Sequence, residues 1–214
     1  MQAHQAFKQL FLVAVTVALL GSSIADAEEP FRVRGTLQKV DGDRLVVLTR
    51  EGEVMGLAMA KDAKLFVTRP ATLDDIKKGQ FIGITSIESG GERVALEAHL
   101  FPEDMRGVGE GHYPWDLVEE PNAMTNATIA EVKAVGDERL LQVAYAEGEG
   151  EQKVEGTQTI VVPPGVPIVR LEETDQRDLL QPGRQVFLIV RPERDLTPVV
   201  TVAVVGDYGT PPPM

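Results

Sequence analysis

Two stretches of the chain, residues 31–101 and 126–206, carry nearly the same order of sequence features. The first opens with GTLQKV at residues 35–40, and the second opens with ATIAEV at residues 127–132. An acidic turn, an apolar run, an aspartate-containing segment that ends in glycine and a further apolar run then follow in both. Self-similarity over tens of residues is typical of a duplicated structural unit. The sequence therefore predicts two copies of one small domain, separated by an unrepeated segment.

The hydrophobic pattern of both copies is that of β-strands. Apolar or small residues alternate with polar ones in residues 31–37 and 94–100, which is the period of a half-buried strand. Residues 199–205 form a more continuous apolar run, which predicts a more deeply buried strand.

Each copy also contains one segment that favours a short helix. Thr72 precedes residues 73–78, and Thr174 precedes residues 175–181. Both segments have the order of features that a helix needs: a capping threonine, then acidic residues, then a glycine at the end. The pattern predicts a mainly β protein with two tandem small β-barrels of the oligonucleotide/oligosaccharide-binding (OB-like) type, each with one short helix and joined by a glycine-rich connector. A β-sandwich in each repeat is the alternative.

These features divide the chain into five segments. They are a signal peptide (1–27), a first β-barrel domain (28–101), a connector (102–125), a second β-barrel domain (126–207) and a Pro-rich tail predicted to be disordered (208–214).

The first segment has the features of a bacterial export signal. Leu10 to Leu20 is apolar apart from Thr16, and small residues follow at Ala25 and Ala27, where a signal peptidase reads. The apolar run is shorter than the roughly 20 residues that a membrane span needs. No twin arginine precedes it, so the pattern indicates Sec-type export to the periplasm or the medium. An uncleaved N-terminal anchor is the alternative.

Composition excludes several classes of function. The chain has no cysteine, which excludes disulfides, thiolate metal sites and cysteine nucleophiles. No later apolar run could cross a bilayer as a helix, so a polytopic transporter is excluded. The formal net charge of −12 argues against nucleic acid as a partner, because an acidic surface repels phosphate backbones. The basic residues Arg32, Arg34 and Arg44 are expected to form a solvated patch.

The repeated pattern of Gly/Ala-Thr-apolar-x-x-Val, an acidic turn, an apolar strand and a short helix ending in glycine resembles a family of small exported bacterial β-barrel domains of unknown function that often occur in tandem. The resemblance covers both copies. It implies a barrel fold and export, and it supplies no catalytic residues.

The connector is the most unusual segment, because it is rich in glycine and holds the single tryptophan of the chain. The two histidines beyond the signal also lie on it or beside it. The candidate ligand-binding residues are Arg106, Glu110, His112, Trp115 and Asp116. Imidazole, carboxylate and thioether groups together are able to bind Cu or Zn, so the candidate metal ligands are His99, His112, Met105 and Glu103.

Three further points concern the connector region. His99 is expected to face outward from its strand, from where it would reach the connector. In the alternative interpretation the connector is a packing loop, in which Pro114 and Trp115 fill a gap at the junction of the domains and Arg106 pairs with a carboxylate. Asn126 lies in a glycosylation sequon that is given no weight in a bacterial chain.

No catalytic motif is present in the sequence, and no catalytic residue is assigned. The sequence thus favours an exported, non-enzymatic binding or scaffold module, whose partner is an envelope protein, a polymer or a small ligand. A periplasmic Cu- or Zn-binding accessory protein that uses the connector is the alternative, and an envelope hydrolase is a weaker one.

Overall fold

A computed structural model describes residues 29–148, 152–193, 196–207 and 209–213. The predicted signal peptide lies outside the described residues. The described chain is mainly β, as predicted. Its strands are β1 (Phe31–Asp41), β2 (Arg44–Thr49), β3 (Val54–Ala71), β4 (Phe81–Ser89), β5 (Glu92–Leu100), β6 (Gly111–Trp115), β7 (Asn122–Val135), β8 (Glu138–Glu147), β9 (Val154–Val162), β10 (Ile168–Thr174), β11 (Gln185–Arg191) and β12 (Val199–Val205).

The strands form two closed rings. In the first ring β1 pairs with β2 and β11, β3 pairs with β2, and a parallel pairing of β12 with β3 closes the circle through β11. In the second ring β4 pairs with β5 and β7, β8 pairs with β7 and β9, and a parallel pairing of β5 with β9 closes the circle. Strand β10 pairs with both β3 and β5 and so connects the rings. The closed pairing supports a barrel rather than a sandwich.

The sequence predicts one barrel from residues 28–101 and another from residues 126–207. In the structure, each ring instead contains strands from both of these segments. Strands β4 and β5 complete the ring of the C-terminal half, and β11 and β12 complete the ring of the N-terminal half. The physical reason is that corresponding strands of the two halves carry similar apolar patterns. Such a pattern specifies which face of a strand is buried, but it does not specify which half of the chain supplies the neighbouring strand.

Each barrel therefore has a core made from both halves of the chain. The first core includes Leu37, Leu45, Leu57, Leu188 and Val200, all at most 1% exposed. The second core includes Ile82, Ile84, Ile129, Leu141 and Ile160, which are buried to the same degree.

The two predicted helices are single 3-10 turns, at Leu73–Asp75 and Arg177–Leu179. The Asp75 carboxylate accepts hydrogen bonds from the Thr72 N–H and hydroxyl groups, both at 2.8 Å. A short helix gains little from its own hydrogen bonds. The chain is instead extended at Ile76 and Leu180, where these residues enter the two cores.

The connector and the tail are also more ordered than the sequence predicts. Strand β6 lies within the connector and pairs antiparallel with β7, which begins at Asn122 rather than after the connector. The sequence predicts a disordered tail, but its described residues 209–213 pack against the protein. The Thr68 hydroxyl donates to the Thr210 carbonyl at 2.8 Å, and Pro212 is buried. In the described part of the chain, no helix has the length and apolar character that crossing a membrane requires.

Candidate functional site

A cavity of about 220 Å³ lies between the outer surfaces of the two barrels, beneath the connector. Its walls include Phe187 and Val204 of the first barrel and Met124 of the second. Its cover includes Met105 and Trp115 of the connector.

The apolar wall follows from the two-residue period of the strands. In β11, Val186, Leu188 and Val190 fill the barrel core, so the intervening Phe187 and Ile189 lie on the outer face. An apolar outer face gains stability when it is covered, and the connector provides that cover.

Trp115 is held at the rim of the cavity by arginines of β1. The guanidinium carbons of Arg32 and Arg34 lie 4.3 and 5.0 Å from the indole centroid, within the range of cation–π attraction. The Tyr113 ring contacts Trp115 edge-on, with centroids 5.9 Å apart. Since Arg32 and Arg34 are two residues apart, they lie on one face of β1 and present a paired contact to the indole.

Arg34 also fixes the end of β6 through Asp116. Its Nη1 donates to Asp116 Oδ2 at 3.0 Å, and its Nη2 lies 2.9 Å from Oδ1. Burial alone would raise the pKa of Asp116, but the hydrogen bond and the charge of Arg34 outweigh it, so that this pKa is lowered. Arg50 donates to the Asp116 and Leu117 carbonyls, at 2.8 and 3.3 Å. The predicted residue Asp116 therefore anchors the connector.

His99 forms part of the cavity wall and is only 6% exposed. It points away from the second core, as expected, but the connector region covers it, and its ring contacts Phe101 edge-on at 4.7 Å. Burial lowers the pKa of His99 to about 4, so the imidazole is neutral at pH 7. Its Nδ1 atom has no hydrogen-bond partner among the described residues.

Asn126 lies across Gly83 from His99 and is 7% exposed. Its Nδ2 donates to the Val108 carbonyl at 3.3 Å and to the Tyr113 hydroxyl at 3.2 Å. Because a carbonyl only accepts, the first bond fixes which end of the amide is nitrogen. The Oδ1 atom is buried and has no partner in the described part of the chain. Burial raises the pKa of Tyr113, which keeps its hydroxyl protonated.

His112, a candidate for both ligand and metal binding, lies on the other face of the sheet. Its Nδ1 is 2.8 Å from Thr125 Oγ1, its N–H donates to Glu147 at 2.6 Å, and its ring stacks on Tyr145. Burial lowers the pKa of His112, and the charge of Arg93 lowers it further. Because neighbouring residues of a strand face opposite ways, His112 is directed away from the cavity that Tyr113 lines.

The remaining candidates lie outside the cavity, apart from Met105. Arg106 forms a two-point ion pair with Glu103, with both N–O distances 2.6 Å, and donates to the Gly79 carbonyl at 2.8 Å. This pair lowers the pKa of Glu103. Glu110 borders a separate open depression beside Tyr145. Arg106 therefore pairs with a carboxylate, as the packing interpretation expects.

The predicted metal ligands His99, His112, Met105 and Glu103 are thus not brought together. His99 and Met105 both line the cavity, His112 lies on the opposite face, and Glu103 is paired with Arg106. Among the described residues, no three His, Cys, Asp or Glu side chains form a group that could hold a metal ion.

Several residues of the site were not predicted from the sequence. Arg34 was expected to be solvated, but it is 6% exposed and supports Trp115. The sequence pattern does not indicate a role in the site for Asn126, Tyr113 or Phe187. The spacing of Arg32 and Arg34 does contain a signal, because residues two apart on a strand lie on the same face and are able to contact one partner.

Comparisons of the chain with protein-family models, with curated proteins and with solved structures found no match.

Proposed function

We propose that the protein is a non-enzymatic binding module whose ligand is a small, mostly apolar molecule held in the cavity beneath the connector. The observation that carries the proposal is the cavity itself, whose walls include aromatic and thioether side chains together with the polar residues Arg32, His99 and Asn126. Small-molecule sites commonly have this composition, since apolar walls provide affinity and a few polar groups provide orientation.

The size of the cavity supports a ligand built on one aromatic ring. A dry protein cavity of about 150 Å³ lined by apolar side chains accommodates benzene. A volume of about 220 Å³ therefore accommodates one ring with a short substituent. Met105 and Met124 contribute thioethers, which make favourable contacts with aromatic rings.

The cover of the site is held in place before any ligand arrives. Strand β6 pairs with β7 over Gly111–Trp115, and the Arg34–Asp116 ion pair fixes the residue that follows it. Pre-organisation of this kind reduces the ordering that binding would otherwise require.

Export and an origin by duplication of an OB-like unit belong to the same proposal. Export is supported by the pattern of residues 1–27. Duplication is supported by matched backbone details: β1 and β7 each bulge after the corresponding residues Leu37 and Ile129, whose carbonyls accept from Gly183 and Gly79 at 2.7 and 2.8 Å. The resemblance to small exported barrel domains agrees with both points. The metal-binding alternative has no comparable support.

The test uses Trp115, the single tryptophan of the chain, as a reporter in the cavity wall. Toluene is titrated into the purified protein while the Trp115 emission is recorded. We expect a saturable change in the wild-type protein. In Val204→Phe the added ring occupies the cavity, so the change should be lost, whereas Val154→Phe, at an exposed position, should retain it.

Circular dichroism establishes that each variant is folded, and Val202→Phe replaces Val204→Phe if the latter does not fold. A toluene response that is not saturable, or that persists unchanged in the cavity-filling variant, would overturn the proposed function.

A further inference from the structure

We infer that the cavity selects small aromatic carboxylates, with the ring among its apolar walls and the carboxylate on the guanidinium of Arg32, and this inference rests on the proposed function. Its basis is a cationic residue that both lines the cavity and is exposed to solvent. A ligand in the cavity therefore reaches the positive charge at the rim, without burial of its own charge.

The register of the first barrel places Arg32 at the flank of the apolar wall. Arg32 lies opposite Ile189 of β11, and Ile189 lies opposite Val202 of β12. Residues directly opposite each other on neighbouring strands share a face of the sheet. All three line the cavity, so one row of side chains runs from an apolar surface to a cation.

Arg32 has no carboxylate partner in the part of the chain that the structure describes, in contrast to the arginines beside it. Arg34 pairs with Asp116, and Arg50 lies within 3.7 Å of a Glu51 carboxylate oxygen. These two charge pairs compensate each other, so the charge of Arg32 is the one left over at this end of the cavity. In a chain with a net charge of −12, an uncompensated cation beside an apolar cavity is complementary to an anionic ligand.

The contact between Arg32 and Trp115 leaves the guanidinium able to bind an anion. The guanidinium carbon lies 4.3 Å from the indole centroid, which is cation–π attraction. That attraction uses the charge, whereas the N–H groups of the planar fork remain available as donors. A carboxylate matches the fork with two parallel hydrogen bonds, so the indole holds Arg32 in place and the ligand provides the acceptors.

The same arrangement disfavours other small aromatic molecules. An amine would bring a second positive charge to Arg32. A neutral amide would accept a hydrogen bond but would not gain the charge interaction. A dianion would be repelled by Asp116, whose side chain is 63% exposed near the same rim. The walls of the cavity, with Phe187 and Trp115 among them, suit the aromatic ring.

The test compares four probes in the wild-type protein by the response of Trp115: phenylacetate, phenylacetamide, 2-phenylethylamine and toluene. Phenylacetate and phenylacetamide have almost the same size and shape and differ in charge. We expect phenylacetate to bind about fivefold more tightly than phenylacetamide at low salt, as a well-oriented ion pair at a partly exposed site gives. Added salt should reduce this ratio, and 2-phenylethylamine should bind most weakly.

Two variants assign the preference to Arg32. In Arg32→Gln the ratio of the phenylacetate and phenylacetamide affinities should fall to about one, while the toluene affinity reports any change in the cavity itself. Arg44→Gln is the matched control, because Arg44 is also an exposed arginine but does not line the cavity. This control changes the net charge equally and should keep the ratio.

Val204→Phe separates the cavity from an anion site on the surface. The added ring occupies the cavity, so the response to phenylacetate should be lost together with the response to toluene. A phenylacetate response that persists in this variant would place the carboxylate outside the cavity and would overturn the inference.

The remaining outcomes separate the inference from the proposed function. If toluene binds but phenylacetate binds no more tightly than phenylacetamide, or if Arg32→Gln keeps the preference, the inference is overturned and the proposed function stands. If toluene gives no saturable response, both are overturned. The comparison of probes in the wild-type protein decides these cases even where a variant does not fold.

Discussion

Gly83→Ala adds one methyl group at the point where the imidazole of His99 and the amide of Asn126 meet. The new Cβ would overlap Nε2 of His99 and approach Asn126 Oδ1 to 2.6 Å, closer than real Cβ contacts allow. Neither neighbour can move easily, because both side chains are buried and Asn126 is tied to Val108 and Tyr113. The added methyl group therefore has to displace the side chains of His99 and Asn126, which form part of the cavity wall.

Overpacking of a well-packed site costs about 1–3 kcal/mol in the free energy of unfolding. For a chain of this size that corresponds to a decrease in Tm of roughly 2–4 °C per kcal/mol. Gly56→Ala is the matched control: Gly56 is also within a strand, has no positive φ and has no atom within 4 Å of the added Cβ. This control should be neutral or should gain about 0.4–1 kcal/mol through reduced entropy of the unfolded chain.

The assay is urea unfolding of the two variants and the wild-type protein, followed by circular dichroism. Gly83→Ala should have the lower midpoint, and the response of its Trp115 emission to toluene should be weakened. Equal stabilities for Gly83→Ala and Gly56→Ala would refute the close convergence of His99 and Asn126.

Three further predictions test other parts of the account. Burial lowers the pKa of His99 from 6.5 to about 4, so as the pH falls through this range the unfolded state takes up the proton first. The free energy of unfolding should therefore decrease by up to about 3 kcal/mol, and His99→Gln should lose this part of the pH dependence. If the free energy of unfolding changed equally between pH 7 and pH 4 in His99→Gln and in the wild-type protein, this prediction would be contradicted. A fragment of residues 29–106 lacks β11 and β12, so it should show no cooperative thermal unfolding alone. It should assemble when it is co-expressed with residues 107–214. A monomeric fragment that unfolds cooperatively would contradict the completion of the first ring by β11 and β12. If the signal is cleaved after Ala27, intact-mass measurement of protein from the periplasm should give a chain that begins at Glu28, and retention of residues 1–27 would favour the anchor.

The strand pattern could be predicted from the sequence because it is local. The continuous apolar run at residues 199–205 coincides with β12, and the alternation at residues 31–37 lies in β1. Alternation reports burial of one face directly. The helices were predicted less well, because a cap and first-turn acids do not outweigh the burial of Ile76 and Leu180 just beyond them.

The pairing of strands could not be predicted in the same way. The apolar patterns of β4 and β11 are similar. Local sequence therefore does not specify which of these two strands completes which ring. The exchange depends on the sum of long-range contacts, which no single segment contains.

The sequence directs attention to the connector, but it does not define the cavity. Of the candidate residues in and beside the connector, Trp115, Met105 and His99 line the cavity. The direction of His112 depends on the strand at Gly111–Trp115, which the sequence around Pro114 does not indicate. The burial of Arg34 depends on a connector that is distant in sequence, so the local pattern suggested a solvated residue.

The central claim is that the connector-covered cavity holds a small aromatic ligand, and an anomalous-scattering experiment tests it most directly. Crystals grown with bromobenzene are measured at the bromine absorption edge, which locates the bromine atom without any assumption about the orientation of the ligand. We expect a bromine peak within the cavity, between Trp115, Met124 and Val204. A bromine peak only at other places on the protein, or a cavity without one in ligand-saturated crystals, would contradict it.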